Sequence, residues 1–402
     1  MQYIIKKFKN NYSKRQELLY KHGLFGYIKN SSGYVLLVVL LVVALLVTMS
    51  TEFLSIAQTN INYIRKFSER LKANMLAKAG INISTIILKA DKLGLGASFL
   101  GKQSASKDID CYKDIWALDF PDLPLEDGFL KIIIDDENSK INLSVLANEI
   151  VDSTTYYGIM QRFFLNMGLP MDYADSIKDW VDVDDSRSPY GAESSDYYLN
   201  LPSPYKAKNA AMDSIDELLM VKDITPEIFY GLEKGAYEMS TELVDNNKGN
   251  TKIDLSILKG MTTQDMINNL QNTELPEKFN IAKERSKKLS DYLRVNGERK
   301  DFTSELNKIN INTASFRVLS SLTDKMTDDI VKEIISRRIA TPYKNVDEIK
   351  DLIDDETIRK NILSVKSYLF RITAIGTVNR TRVKITGIYY RDGNKFLYWN
   401  EQ

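Results

Sequence analysis

A single uncharged segment near the start of the chain constrains the fold more than any other feature. Residues 30–51 contain no charged side chain, and residues 34–49 have the sequence YVLLVVLLVVALLVTM. In a helix, the 22 residues of this segment extend about 33 Å, enough to cross a hydrocarbon core about 30 Å thick. We therefore predict that residues 34–51 span a membrane, with a buried core helix as the alternative. No second run of eighteen apolar residues follows in the sequence.

The charges before the apolar segment predict its orientation. Seven basic residues face one acid, a balance of +6: Lys6, Lys7, Lys9, Lys14, Arg15, Lys21 and Lys29 against Glu17. Because positively charged flanks are retained in the cytoplasm, the N-terminus should be cytoplasmic and the remaining ~350 residues should be translocated.

An apolar pattern at helical spacing continues beyond the span. Its positions are three or four residues apart: Phe53, Ala57, Ile61, Ile64, Phe67, Leu71, Met75, Ala79, Ile83 and Ile86. Because this is the period of one helix face, we predict that the membrane helix continues without a break as an amphipathic helix. It should end near Gly94, since glycine commonly caps helices. A coiled-coil stalk below a receptor domain is the alternative for this segment.

The junction before the span resembles the signal of type IV pilin-like proteins. A basic leader, residues 1–33, ends in Ser31-Ser32-Gly33, and the apolar helix begins at Tyr34. The resemblance implies that prepilin peptidase cuts after Gly33 and leaves Tyr34 as the first residue. Most pilins have Glu at the fifth mature position, where it is thought to meet the N-terminal amine of the subunit ahead. Here that position is Val38, which suits a subunit with nothing ahead of it, since an unpaired carboxylate in a membrane is costly.

The composition excludes several kinds of functional site. The 54 basic and 54 acidic residues balance, which argues against a general nucleic-acid binder. The single cysteine, Cys111, excludes an internal disulfide and a cysteine-based zinc cage. The single histidine, His22, lies in the leader and excludes a histidine-rich metal site.

Acidic residues concentrate in the middle of the chain. Residues 172–196 contain eight acids and two basic residues, a balance of −6. Counted from Asp182 as position 1, Asp184 is position 3 and Glu193 is position 12, as in an EF-hand loop, although Arg187 stands where that loop needs glycine. We predict a calcium loop of a different type, with four ligands: Asp182, Asp184, Glu193 and Asp196. A solvated acidic loop that binds no ion, or a glycosidase-like carboxylate pair, are the alternatives.

This acidic region resembles the minor pseudopilin of the type II secretion system called the protein K family. The matching residues are Asp179-Trp180-Val181-Asp182-Val183-Asp184, Gly191-Ala192-Glu193 and Asp196-Tyr197-Tyr198. Three other stretches resemble the family: Ile141-Asn142-Leu143-Ser144, residues 209–218 and residues 309–314. Pseudopilins of this class typically lack the membrane glutamate, in agreement with Val38.

The resemblance implies a non-enzymatic protein of the inner membrane whose bulk is periplasmic. It implies a position at the tip of the pseudopilus, where the protein would cap the fibre and help to initiate assembly for protein export across the outer membrane. The expected partners are the minor pseudopilins of the I and J classes and the inner-membrane platform of the secretion system.

The rest of the pattern predicts an α+β fold with a large helical insertion. Ser214, Thr225 and Pro226 signal helix starts, and residues 314–338 repeat the pattern, as in helix-hairpin-helix units. Because the turns lack glycine, we assign these units to packing rather than to nucleic-acid binding. Residues 234–300 are predicted to form surface helices and loops.

Apolar and polar residues alternate in the last part of the chain, which predicts strands. Phe370, Ile372 and Ala374 alternate with polar neighbours, and Asp392-Gly393-Asn394 predicts a hairpin turn. We expect these strands and those of residues 128–143 to form one antiparallel sheet, packed on the long helix as in pilins. The predicted domains are the leader (1–33), the span (34–51), the first part of the pilin-like body (52–144), an all-α insertion (145–365) and the last strands (366–402).

Two other classes of function fit parts of this pattern. A membrane-anchored sensory or adhesion protein with a helical stalk is the alternative, although receptors usually return through the membrane. A membrane-anchored hydrolase that uses the acidic cluster is the third class.

Overall fold

A computed structural model describes residues 31–95, 108–125, 128–147, 153–231, 288–296 and 304–402. The leader up to residue 30 and most of the predicted surface segment, residues 232–287 and 297–303, lie outside these ranges. The chain divides into two compact units, residues 1–69 and residues 70–402.

The helices of the described residues are few, and one is much longer than the others. The α-helices are α1 (Ser31–Lys92), α2 (Ser153–Asn166), α3 (Tyr173–Val181), α4 (Pro226–Tyr230), α5 (Phe316–Ser320) and α6 (Asp328–Ala340). Short 3₁₀ turns are Ile115–Ala117, Glu137–Ser139, Leu143–Ala147, Tyr198–Asn200, Ile215–Met220, Leu289–Asp291 and Val346–Ile349, and a π-turn is Ile358–Ile362.

The strands form one large sheet and two small pairs. The strands are β1 (Leu123–Leu125), β2 (Gly128–Asp136), β3 (Ile141–Asn142), β4 (Leu293–Arg294), β5 (Ile309–Asn310), β6 (Leu363–Ser364), β7 (Leu369–Val378), β8 (Thr381–Tyr390) and β9 (Lys395–Glu401). The large sheet is antiparallel in the order β1-β2-β7-β8-β9, whereas β3 pairs with β4 and β5 with β6 in parallel.

The first unit contributes the apolar part of α1. Every large hydrophobic side chain of α1 from Tyr34 to Phe67 is at least 40% exposed. Within the described residues, α1 is the one helix that is long and apolar enough to cross a membrane. Its exposed apolar surface is what contact with lipid requires.

Helix α1 ends where the sequence predicts. Gly94 has a left-handed φ of 72°. The Leu95 N–H donates to the Ala90 carbonyl at 2.9 Å, and the Gly94 N–H donates to the Asp91 carbonyl at 2.8 Å. These bonds satisfy carbonyl groups that the end of a helix leaves free, which explains the stop at this glycine.

The last part of α1 packs on the large sheet and forms the sheet core. The predicted alternation is confirmed, because Phe370, Ile372 and Ala374 are all buried on the helix side of β7. Strand β2 buries Leu130, Ile132 and Ile134 against the same core. The hairpin at residues 392–394 joins β8 to β9, also as predicted.

The face of α1 that packs on the sheet is not the stripe of large apolar residues that the sequence suggests. Small residues such as Ala73, Ala77 and Gly80 face the sheet. By contrast, Met75 and Ile86 of the predicted stripe are 64% and 65% exposed. The reason is steric: at these small residues the helix backbone comes close to the strands, whereas Ile81 and Leu88 pack into the same core further along the helix.

A second hydrophobic core, the insertion core, gathers residues between Ile141 and Leu363. Most of its regular elements are helical, but the prediction of an all-α insertion is wrong. The predicted helix start at Thr225 is confirmed, because its side chain accepts the Ile228 N–H, and Thr327 caps α6 in the same way by accepting the Ile330 N–H. The insertion also contains the two parallel strand pairs, which the sequence did not predict. Each pair has only two residues per strand, so no local period could reveal it.

Two assignments from the sequence are wrong in this region. Ile141 and Asn142 do not extend the large sheet; they pair with Leu293 and Arg294 because Ile141 is buried in the insertion core. For the same reason, residues 288–296 are not a surface segment, since Leu293 and Arg294 are fully buried.

The close contact between α1 and the sheet generates a prediction about Gly376. A Cβ atom at this position would lie 2.0 Å from the Ala73 carbonyl oxygen. We expect Gly376→Val to lower the free energy of unfolding by about 3 kcal/mol, because overpacking forces the helix away from the sheet. Denaturation of the purified chain, followed by circular dichroism, measures this. Thr377→Val, on the opposite face of the strand, is the control and should change stability by less than about 0.5 kcal/mol. Equal effects of the two variants would contradict the close-packing account.

Candidate metal centre

Helix α3 and the loop after it build the acidic site. The aromatic rings of Trp180, Tyr198 and Tyr205 anchor this loop, with centroid distances of 5.2 Å from Trp180 to Tyr198 and 6.1 Å to Tyr205. Asp175 and Asp179 lie one turn apart on the buried face of α3. Residues four apart share a helix face, so both carboxylates can reach the loop.

Asp175 and Asp179 shape the loop through its backbone. The Ser188 N–H donates to both oxygens of Asp179, at 3.0 and 3.2 Å, and the Tyr190 N–H donates to Asp175 Oδ2 at 3.0 Å. A Cβ atom on Gly191 would lie 1.9 Å from Asp179 Oδ2. Only glycine leaves room for the carboxylate here, which explains the glycine of the Gly191-Ala192-Glu193 motif.

Three of the four predicted ligands come together. Asp182, Asp184 and Glu193 can each offer a carboxylate oxygen such that the three oxygens lie within 4.8 Å of one another. Asp182 and Glu193 are buried, whereas Asp184 is exposed. These residues hold positions 1, 3 and 12 of the EF-hand count. The group therefore has one side open to solvent and a donor set made only of oxygen.

Glu193 is the residue that most strongly indicates a cation. Its side chain is 1% exposed, and neither carboxylate oxygen has a hydrogen-bond partner among the described residues. Burial, together with repulsion from Asp179 and Asp182, raises the pKa of Glu193 to about 7. A buried carboxylate without a partner is costly, and a divalent cation would satisfy it. The residues present thus fit a hard cation such as Ca²⁺ better than a thiophilic metal.

The fourth predicted ligand, Asp196, lies apart from this group. Its Oδ2 atom is 2.9 Å from Arg187 Nη1, and its Oδ1 accepts the Glu193 N–H at 2.8 Å. Asp196 therefore holds the backbone of Glu193 in place, and its charge is already compensated by Arg187.

Sequence reasoning missed a residue that supports the loop from a distance. The Asn209 side-chain amide donates to the Asp184 carbonyl at 3.1 Å and to Asp185 Oδ1 at 2.9 Å. Asn209 has a left-handed φ of 46°, which asparagine tolerates better than most residues. Its position within the stretch 209–218, which resembles the protein K family, is the one signal in the sequence that could have identified it.

The predicted processing residues lie at the start of α1. Gly33 falls within the helix, which begins three residues earlier than expected, at Ser31. Tyr34 is 60% exposed.

Two models of a protein family match this chain, over residues 139–236 and 309–366, and both are described as type II secretion system (T2SS), protein K. A curated relative, type II secretion system protein K of Pectobacterium carotovorum subsp. carotovorum, is 30% identical over 211 residues. That alignment covers 49% of this chain and 60% of the relative's own length.

A solved structure has the same fold. It is a chain in the crystal structure of the GspK-GspI-GspJ complex from the enterotoxigenic Escherichia coli type 2 secretion system. The TM-score is 0.53 at 18% identity, over 86% of this chain and 99% of that chain. At this identity the likeness shows the fold alone. The two family matches include the acidic loop and the second pair of parallel strands, and they agree with the curated relative: over these residues the chain is similar to the type II secretion system protein K family.

Proposed function

We propose that this chain is a non-enzymatic minor pseudopilin at the tip of the type II secretion pseudopilus. The observation that supports this role best is the insertion core, a second hydrophobic core added to a helix-and-sheet fold. A pilin-like subunit with such an addition is too bulky for another subunit to stack above it. The protein would cap the fibre and help to initiate its assembly for export across the outer membrane.

Val38 supports the same position in the fibre. A carboxylate in the membrane needs a partner, and a tip subunit has no neighbour ahead to supply one. Val38 is 40% exposed on α1, as an apolar contact with lipid or a neighbouring helix permits.

The position at the tip can be tested by labelling. We expect gold particles directed at an epitope tag on the C-terminus, after Gln402, to mark one end of each assembled pseudopilus in electron micrographs. A tagged major subunit is the control and should be marked along the whole fibre. Particles of the tagged chain along the shaft would contradict the capping role.

We further propose that the exposed stripe of α1 contacts the minor pseudopilins of the I and J classes. Leu71, Met75 and Ile86 are all more than 50% exposed although they belong to a folded body. Contiguous exposed apolar surface of this kind marks sites of association. The GspK-GspI-GspJ complex, in which a chain of this fold occurs, supports this choice of partners.

A charge placed on the stripe should weaken this association. We expect Met75→Glu combined with Ile86→Glu to reduce co-purification of the I- and J-class pseudopilins at least tenfold, since each buried unpaired charge costs more than about 1.4 kcal/mol. Lys89→Glu adds negative charge at an exposed polar position of the same helix and should leave co-purification unchanged. Undiminished capture by the double variant would exclude the stripe as the contact.

The membrane anchor fits the same proposal. Prepilin peptidase would cut between Gly33 and Tyr34, and the mature helix would stay in the inner membrane beside the secretion platform with the folded body in the periplasm. The apolar helix and the basic leader support this topology. N-terminal sequencing that begins at Tyr34 would agree with this cut.

We also propose that Asp182, Asp184 and Glu193 bind calcium and thereby stabilise the insertion. The grouping of three carboxylates, one of them buried without a partner, supports this assignment. Calcium would hold the loop to α3, because its ligands come from the end of that helix and from the far side of the loop. The cation is structural in this proposal, not catalytic.

Removal of calcium should lower thermal stability. At a calcium concentration of about 100 times the dissociation constant, bound ion contributes about 2.7 kcal/mol, so chelation should lower Tm by several degrees. Glu193→Gln should remove this response to chelator, as measured by differential scanning calorimetry. Asp172→Asn is the control, since Asp172 is an exposed acid at the start of α3 whose side chain makes no capping bond. A Glu193→Gln protein that still responds to chelator would contradict the site, and a hydrolytic activity lost in that variant would favour the hydrolase.

A further inference from the structure

A second group of buried charges lies away from the acidic loop and has no part in the proposed calcium site. Asp91 comes from α1, Asp110 and Asp114 come from the segment before β1, and Arg391 follows β8. All four are at most 9% exposed. The three acids can each place one carboxylate oxygen within 4.8 Å of the others. We call these four residues the acid joint.

Arg391 compensates one acid of the joint well and a second one weakly. Its Nη1 and Nη2 atoms donate to the two oxygens of Asp110, at 2.7 and 2.9 Å. Nη1 also lies 3.3 Å from Asp91 Oδ2. The guanidinium stands among the carboxylates, where it supplies positive charge that a bound metal ion would otherwise bring. The bidentate geometry makes Asp110 the preferred partner of Arg391.

The hydrogen-bond partner of Asp114 is a backbone amide rather than a positively charged side chain. The Cys111 N–H donates to Asp114 Oδ2 at 2.7 Å. With all groups ionised, three carboxylates and one guanidinium leave two negative charges in a buried space. Because buried like charges repel strongly, this arrangement disfavours the ionised forms of Asp91 and Asp114.

The joint connects three parts of the fold. Asp110 Oδ2 accepts the Ser367 N–H at 2.7 Å, and Arg391 Nη2 donates to the Ser367 carbonyl at 2.7 Å. Ser367 lies between the insertion core and β7. Helix α1, the last hairpin and the end of the insertion are therefore held by one set of charges.

We propose that the acid joint is a proton-operated contact, closed while Asp91 and Asp114 hold protons and loosened when those protons leave. The loosened state would free the segment that contains Asp110 and Asp114 from α1 and from Ser367. This would change how firmly the insertion is held on the last part of α1. In a cap at the end of a fibre, pH would then control the attachment of the insertion. The inference rests on the contacts of the joint and does not depend on the calcium site.

The pKa values of the acids agree with this arrangement. Burial, then repulsion by Asp110, raises the pKa of Asp91 to about 7, although Arg391 opposes the shift. Burial, then repulsion by Asp91, raises the pKa of Asp114 to about 8. Both groups therefore change charge near neutral pH.

The lysines around the joint have partners elsewhere: Lys92 pairs with Asp392, Lys366 pairs with Asp108, and Lys113 Nζ donates to the Ala340 carbonyl at 3.0 Å. The other ionisable groups around the joint are Asp136, the Cys111 thiol and Tyr368. Burial raises the pKa of Cys111 to about 12, so the thiol stays neutral. Burial raises the pKa of Asp136 to about 6, so this group adds a smaller effect of the same sign at lower pH.

The direction of the pH effect follows from these shifts. In the open state, these acids have a pKa near 4 and lose their protons at about that pH. In the closed joint, their raised pKa keeps the protons bound up to a higher pH. The closed state is therefore favoured most at acidic pH, loses stability as pH rises towards 8, and changes little above that value.

Hydrogen exchange at two pH values tests the joint in the full-length protein. The amides to follow are those of Cys111 and Ser367, in peptides measured by mass spectrometry at fixed calcium concentration. After correction for intrinsic exchange, the opening constant should rise at least about tenfold from about pH 6 to about pH 8.5, since each released proton contributes a factor of ten per pH unit. Peptides from the centre of β7 and β8 should show no such rise. A flat profile at Cys111 and Ser367 would overturn the proposal.

Variants that remove the titration complete the test. Asp114→Asn and, independently, Asp91→Asn should each flatten the pH dependence of exchange and make the joint more protected than wild type at about pH 8.5. Asp119→Asn, an exposed acid of the same segment, should keep the wild-type profile. A pH response that is the same in all three variants would exclude Asp91 and Asp114 as the groups involved. Should one of the first two fail to fold, the other and the wild-type profile decide the question.

Discussion

Directional hydrogen bonds to buried carboxylates determine how the two hydrophobic cores are joined. Asp136, at the end of β2, accepts hydroxyl groups from Thr313 at 2.5 Å and Ser367 at 2.6 Å. Asn138 bonds to both parts of the fold. Its Oδ1 accepts the Leu369 N–H of β7, and its Nδ2 donates to the Lys308 carbonyl of the insertion. Buried polar groups cost free energy unless they are paired in one geometry. This requirement gives the insertion a single orientation on the sheet, which apolar contacts alone would specify less sharply.

The same requirement explains the role of asparagine in the short parallel strands. Asn142 and Asn310 are fully buried, and Asn310 Nδ2 donates to the Asp110 carbonyl at 2.9 Å and to Ser367 Oγ at 2.7 Å. Two residues of strand pairing contribute little by themselves, so side-chain amides must hold these segments. The stretches that resemble the protein K family, 141–144 and 309–314, thus coincide with the polar supports of the fold.

Sequence patterns predicted those elements whose burial repeats at a local period. The alternation of apolar and polar residues was sufficient to predict β7 and β8, because one face of each strand is buried. The packing face of α1 was not predictable in this way, since contact with the sheet selects small residues such as Ala73 and Ala77. The pairing of β3 with β4 was not predictable either, because the two strands lie about 150 residues apart in the chain and each has only two residues. In the acidic loop, spacing identified Asp182, Asp184 and Glu193 as a group, but the support from Asn209 depends on tertiary contacts.

Comparison of the buried acids strengthens the case for a cation in the acidic loop. Glu137 is fully buried, and Lys140 Nζ lies 2.6 Å from its carboxylate. Asp110 has the guanidinium of Arg391 at 2.7 Å. Among the described residues, Glu193 is as deeply buried as these two acids but has no side-chain cation and no donor on either oxygen. The fold provides a positive side chain for Glu137 and Asp110 but none for Glu193, which agrees with the proposed calcium site.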